Sequence, residues 1–218
     1  MANARAVISD FGGVLTTPLA AAFQQFSDRS GVSLEELGIA RGAVGAARGE
    51  NPLFELETGH LTEVEFMAML SGELSRARGH EVSLAGFGEA LFAGLEPNQP
   101  FVAFMRRLRG RGLPMAICTN NVREWSGRWQ AMIPVADLFD VVIDSSEVGV
   151  RKPDPRIYEA TVAALGVAPE SAVFIDDLQI NCEAAAALGM RAVWFQETEQ
   201  EIADVDAALD GDGDGDRA

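Results

Sequence analysis

Short apolar runs that each end on a polar residue alternate along this chain with longer stretches of helical periodicity. Ala6-Val7-Ile8-Ser9 leads into Asp10, Met115-Ala116-Ile117-Cys118 into Thr119-Asn120, and Ala172-Val173-Phe174-Ile175 into Asp176-Asp177. Runs of this length bounded by turn formers read as strands buried on both faces. Two further strands are expected at 139–143 and 191–194. Helical patterns fall between them at 100–109 and 122–131, from Asp154-Pro155 to a stop at Gly166, and at 180–188 and 200–209. Strands alternating with helices predict a parallel sheet covered on both sides.

That alternation is interrupted after Asp10, and no clear strand follows until about Pro114. The intervening stretch carries helix start signals instead. Thr17-Pro18 reads as an N-cap with proline at the first helical position, followed by Leu19, Phe23 and Phe26 on one face up to Gly31. Ser33 with Glu36, and Thr62 with Glu65, fit the reciprocal capping box; Phe66, Met69, Leu70 and Leu74 form a stripe behind the second. An insertion of roughly 80 residues is too long for a loop. It reads as a helical cap over 16–96, with the α/β core formed by 1–15 and 97–209 and an acidic tail at 210–218. The Gly-Asp alternation of that tail cannot bury surface and is expected to be disordered; it lacks the glutamate and flanking helices of a calcium loop.

Composition narrows the partners. A formal charge of -16 excludes the basic stripe that nucleic acid requires. No apolar run approaches the ~20 residues that span a bilayer, and residues 1–5 run directly into the first strand without the pattern of a signal peptide. Cys118 and Cys182, one on a strand and one on a helix, suit a reducing cytoplasm. A monomer or homodimer is expected.

Lys152 is the only lysine in the chain and lies in Gly149-Val150-Arg151-Lys152-Pro153-Asp154-Pro155. Parallel sheets bind ligands at the carboxyl edge of their strands. Asp10, Thr119-Asn120, Lys152 and Asp176-Asp177 would all meet there. Carboxylates gathered at one point repel each other unless a cation offsets them, which suits Mg²⁺ with oxygen ligands and a substrate phosphate. Lys152 and the Thr119 hydroxyl add phosphate donors.

With these features in order, the chain resembles the haloacid dehalogenase-like hydrolase superfamily. The motifs are Asp10-Phe11-Gly12-Gly13-Val14-Leu15, Ile117-Cys118-Thr119-Asn120-Asn121, Val150-Arg151-Lys152-Pro153 and Phe174-Ile175-Asp176-Asp177. The segments around Lys152 and after Asp177 resemble the branch holding the N-terminal phosphatase domain of soluble epoxide hydrolases and a bacterial glucose-1-phosphate phosphatase. The resemblance implies a Rossmann-like core with an inserted cap and Mg²⁺-dependent hydrolysis of a small, sugar-phosphate-like monoester through an aspartyl-phosphate. It implies Asp10 as nucleophile; Asp10, the Gly12 carbonyl, Asp176 and Asp177 around the metal; and Thr119, Asn120 and Lys152 on the phosphate. Asn181 would order the loop after Asp177.

One position departs from the pattern. Phosphatases of the superfamily usually carry a second aspartate two residues after the nucleophile, where this chain has Gly12. Such an acid is worth about 10²–10⁴ in rate. A phosphatase that manages without it, a protein that binds a phosphorylated ligand with little turnover, and a 2-haloacid dehalogenase all remain open. Away from the motifs, Trp125 and Trp129 read as one packed helix face, Arg123 and Arg151 as solvated, and His60 and His80 as surface residues of the cap.

Overall fold

The computed structural model describes residues 6–210. Its five strands are β1 (Ala6–Ser9), β2 (Met115–Thr119), β3 (Val141–Asp144), β4 (Ala172–Asp176) and β5 (Arg191–Trp194). All pairings are parallel, in the order β3-β2-β1-β4-β5. The three central strands are buried throughout, as their unbroken apolar runs require. β3, at one edge, starts two residues later than expected and leaves Val142 partly exposed.

Alternation of side chains across the sheet builds two apolar layers. Val7, Met115, Ile117, Val173 and Ile175 face one side, where they meet residues of the helices Gln99–Gly110 and Thr198–Asp210. Ile8, Ala116, Cys118 and Phe174 face the other, against Ile157, Tyr158, Val162 and Ala185. The fold is therefore α/β with helices on both faces of a parallel sheet.

Among the described residues, twelve α-helices run in chain order as follows. α1 (Leu19–Ser30), α2 (Leu34–Arg48), α3 (Pro52–Glu57), α4 (Glu63–Arg78) and α5 (Phe87–Ala93) separate β1 from α6 (Gln99–Gly110). α7 (Ser126–Met132) and α8 (Val135–Leu138) precede β3. α9 (Ser145–Val148) and α10 (Pro155–Leu165) follow it, and α11 (Gln179–Ala187) and α12 (Thr198–Asp210) flank β5. Both capping boxes form, at Ser33 with Glu36 and at Thr62 with Glu65. Helix α1 starts one residue later than Thr17-Pro18 suggested and has no side-chain cap. Thr17 instead pairs with Glu96 through Thr17 N–H to the Glu96 carbonyl at 2.8 Å and Glu96 N–H to Thr17 Oγ1 at 3.1 Å, closing the base of the insertion. The segment expected as one helix over 122–131 begins as a 3₁₀ turn at Arg123–Trp125 before α7.

Helices α1 to α5 bury their apolar faces mainly against one another, around Phe26, Leu56, Phe66, Leu70, Phe87 and Leu91. Residue 210 ends α12, and the rest of the acidic tail lies outside the described residues. No helix among the described residues is long and apolar enough to cross a membrane.

Candidate active site

Strand register decides which polar residues meet. Ser9 lies beside Ile117 on one side and Ile175 on the other, so Asp10 emerges level with the ends of β2 and β4. The Asp10 amide also donates to the Ile175 carbonyl at 2.8 Å. Because β2 and β4 flank β1 on opposite sides, the chain diverges here, and a crevice opens at the carboxyl edge.

Lys152 lies in the turn before α10, and its side chain, 1% exposed, reaches back under this edge. Its Nζ donates to the Cys118 carbonyl at 2.8 Å and to Asp176 Oδ2 at 2.6 Å, and lies 2.9 Å from Asp10 Oδ1. The last contact is ionic without hydrogen-bond alignment, so buried Asp10 Oδ1 has no hydrogen-bond donor. The ammonium thus makes two hydrogen bonds and one further ionic contact. Asp176 is buried, and its other oxygen accepts from the Leu178 amide and from Asn181 Nδ2, both at 2.9 Å. Asn181 thereby ties the start of α11 to the end of β4.

Asp10, Asp176 and Asp177 each bring an oxygen within 4.8 Å of the other two. One ammonium does not balance three carboxylates. Burial pushes the Asp10 carboxyl up to about 7; Lys152 opposes this, and Asp176 and Asp177 add to it. Burial, reinforced by Asp176, pushes Asp177 up to about 6. Burial lowers the Lys152 ammonium, but the carboxylates of Asp10 and Asp176 outweigh it and hold the group above its usual range. The site therefore suits an added cation on chemical grounds. Asp10 Oδ1 lacks a hydrogen-bond donor, and Asp177 is pressed against the backbone at Gly13. There φ is +78°, and a Cβ would lie 2.3 Å from Asp177 Oδ2, so only glycine leaves room for the carboxylate.

Thr119 ends β2, almost fully buried, and lines the same crevice. Asn120 also lines it, yet its amide is engaged by main chain. Oδ1 accepts from the Lys152 amide at 2.8 Å, and Nδ2 donates to the Lys152 carbonyl at 3.0 Å. This reciprocal pair holds the lysine's backbone in place. Neither Thr119 nor Asn120 caps the following helix.

Above Asp10 the crevice opens into a cavity of about 470 Å³ that extends into the helical insertion. Apolar side chains from α1, α2, α4 and α5 line it, among them Phe23, Leu37, Phe66, Leu70 and Leu91. It is a space for solvent or ligand.

Two residues that sequence reasoning placed elsewhere, Trp125 and Arg151, belong to this cavity. Trp125 lines it, whereas Trp129 is fully buried and packs 4.8 Å from Phe11, ring to ring, so the two do not share a face. Arg151 is not solvated: its Nε donates to Glu57 Oε2 at 2.5 Å, its guanidinium lies 4.0 Å over the Phe54 ring, and both Arg151 and Glu57 line the cavity. Burial raises the Glu57 carboxyl above its usual range despite Arg151. Only the proximity of Arg151 to Lys152 in sequence hinted at this ion pair between the insertion and the core. Arg123 donates to the Ser146 carbonyl at 2.6 Å. His60 and His80 are exposed.

A protein-family comparison matches residues 4–189 to "Hydrolase: haloacid dehalogenase-like hydrolase". The chain is similar to the phosphatase MT3486 of Mycobacterium tuberculosis, 36% identical over 162 residues that cover 68% of this chain and 71% of the relative. A phosphoserine phosphatase of Thermus thermophilus is 37% identical over 131 residues, 60% of this chain and 51% of that protein. Rat bifunctional epoxide hydrolase 2 is 26% identical over 89% of this chain, which spans only 37% of that relative. The chain thus covers about half or less of several curated relatives. In three dimensions it resembles a haloacid dehalogenase family enzyme of Bacteroides thetaiotaomicron solved with magnesium and inorganic phosphate, with a TM-score of 0.66 at 23% identity over 88% of this chain and 94% of the other. That likeness shows the fold. Match length, relatives and fold together establish that this chain belongs to the haloacid dehalogenase-like hydrolase family.

Proposed function

We propose that the protein is a Mg²⁺-dependent phosphatase of small phosphate monoesters, working through an aspartyl-phosphate on Asp10. The observation that carries this reading is the gathering of Asp10, Asp176 and Asp177 oxygens within 4.8 Å beside one buried ammonium, at the floor of a ligand-sized cavity. The phosphatases among the relatives, and the magnesium and phosphate in the Bacteroides complex, support it.

In this reading Asp10, Asp177 and the Gly12 carbonyl hold the metal, with Asp176 beside them directly or through water. Mg²⁺ there supplies charge neutralisation for the phosphoryl oxygens. An Asp10 oxygen attacks phosphorus, and the ester P–O bond breaks. The departing alkoxide takes a proton from water, because position 12 offers none. Water then attacks the phosphoryl group, releasing inorganic phosphate and the Asp10 carboxylate. Thr119 donates to a phosphoryl oxygen. Lys152 restrains the carboxylates, and its charge stabilises the phosphoryl group as negative charge accumulates. Asn120 acts through Lys152 by fixing its main chain. The helical insertion serves as a cap that limits water. Two buried free thiols, Cys118 and Cys182, support a reducing cytoplasmic setting.

The test is hydrolysis of p-nitrophenyl phosphate with and without Mg²⁺, in the wild type and Asp10→Asn. A phenolate leaves without protonation, so the glycine at position 12 is no handicap with this substrate. Metal-dependent release that Asp10→Asn abolishes is expected. Release that survives the substitution removes Asp10 as nucleophile. Phosphate-analogue binding without turnover of a broad ester panel would leave a phospho-ligand-binding protein instead.

A further inference from the structure

We infer that the ester cleaved here carries an apolar alkyl or aryl body, held inside the helical insertion while its phosphate rests at the sheet edge. This rests on the phosphatase reading above and replaces the sugar-like leaving group that the sequence suggested. The cavity's volume of about 470 Å³ falls within the range of roughly 300–1,000 Å³ that buries a small ligand. It starts at Asp10, Thr119 and Lys152 and continues among Phe23, Phe66, Leu70 and Phe87. Its rim is apolar on both sides: Leu34 of α2 is 44% exposed, and Leu178, beyond β4, is 51% exposed.

The polar groups facing the cavity are largely committed to other partners. Glu57 Oε2 accepts from Arg151 Nε. Asn120 is held by the Lys152 main chain, and Asn121 Oδ1 accepts from the Val122 amide at 2.9 Å. Arg41 and the Arg151 nitrogens other than Nε remain for an isolated polar atom. A polyol entering among the apolar side chains of α1, α4 and α5 would give up water hydrogen bonds that those walls do not replace. Each buried hydroxyl left unpaired lowers affinity roughly tenfold to a hundredfold. An alkyl chain gains instead, by up to about fourfold per buried methylene.

The experiment compares kcat/KM for n-butyl, n-hexyl and n-octyl phosphate and a hexose 1-phosphate, with Mg²⁺ present. The expected result is a rise on the order of a hundredfold from butyl to octyl, with the hexose ester the poorest substrate. A flat or falling series, or preference for the hexose ester over the octyl ester, overturns the inference. Leu37→Gln and Met67→Gln, both in the cavity wall, should each reduce the octyl-to-butyl ratio at least about threefold; an unchanged ratio in both, with both folded, also overturns it. Failure of the phosphatase reading shows separately, as no Mg²⁺-dependent release from p-nitrophenyl phosphate. Calorimetric binding of butyl and octyl phosphate to the Mg²⁺-supplied protein then decides. Tighter octyl binding with a negative heat-capacity change supports the apolar pocket, and equal binding refutes it.

Discussion

Replacing Lys152 with methionine keeps a chain of similar length in the space under the sheet edge but removes its charge. The lysine is 1% exposed and lies within 3 Å of carboxylate oxygens on both Asp10 and Asp176. Breaking a buried ion pair from one side costs about 3–5 kcal/mol. Here the carboxylates left behind would repel each other as well. They can escape that cost only by taking up protons, and burial already raises Asp10 to about 7 and Asp177 to about 6 in the wild type. A carboxyl whose folded pKa lies above its unfolded value adds stability that is complete at low pH and lost as pH rises through the folded value. The deficit of Lys152→Met should therefore be small near pH 5 and reach about 3–5 kcal/mol at pH 8. The assay is urea unfolding in EDTA followed by tryptophan fluorescence, with an expected midpoint loss of about 1–2 M at the higher pH. A midpoint equal to wild type at pH 8, or a deficit that ignores pH, would refute this account of the cluster.

Three other substitutions probe the rest of the site. Gly13→Ala places a Cβ where Asp177 Oδ2 now lies, on backbone with φ of +78°; Mg²⁺ affinity by calorimetry should fall about 10–100-fold, and an unchanged affinity would exclude Asp177 as a ligand. At Gly12 an added Cβ would meet only the Leu19 side chain, with Cδ1 at 3.2 Å, so Gly12→Asp is accommodated at its Cβ by a flexible neighbour. It should raise turnover of alkyl relative to aryl phosphates, with a ceiling of about 10²–10⁴, and a constant ratio would show that proton donation is not deficient. Glu57→Gln weakens a pair whose side chains are 19% and 16% exposed. Its cost should fall between those of exposed and buried pairs, at about 1–2 kcal/mol by thermal denaturation. A melting temperature within error of wild type would mean that the contact between insertion and core is carried by packing alone.

Several site elements were legible because their signals are local. A four-residue apolar run ending on Asp10 specifies a buried strand and a charged group at its end, whatever surrounds it. Both capping boxes appear where Ser33-Glu36 and Thr62-Glu65 stand in the sequence, since each is closed by residues three apart. The singular Lys152 similarly announced a position where an ammonium is required. Signals weakened where partners lie far apart in the chain. Helix α3, only six residues long, was hidden, and Arg151 read as solvated because its partner Glu57 lies 94 residues away. The side chain of Asn120 faces the Lys152 main chain, 32 residues on, for the same reason.

What the sequence by itself determined is the set of strand ends and the chemistry they carry, since period and polarity are properties of neighbouring residues. Only the tertiary structure decided that Asp10, Asp176 and Asp177 converge within 4.8 Å and that Asn120 clamps the lysine. It also decided that the five helices α1 to α5 leave an apolar hollow beside their packed core. A hollow is made by what several distant faces fail to fill, so no stretch of sequence contains it.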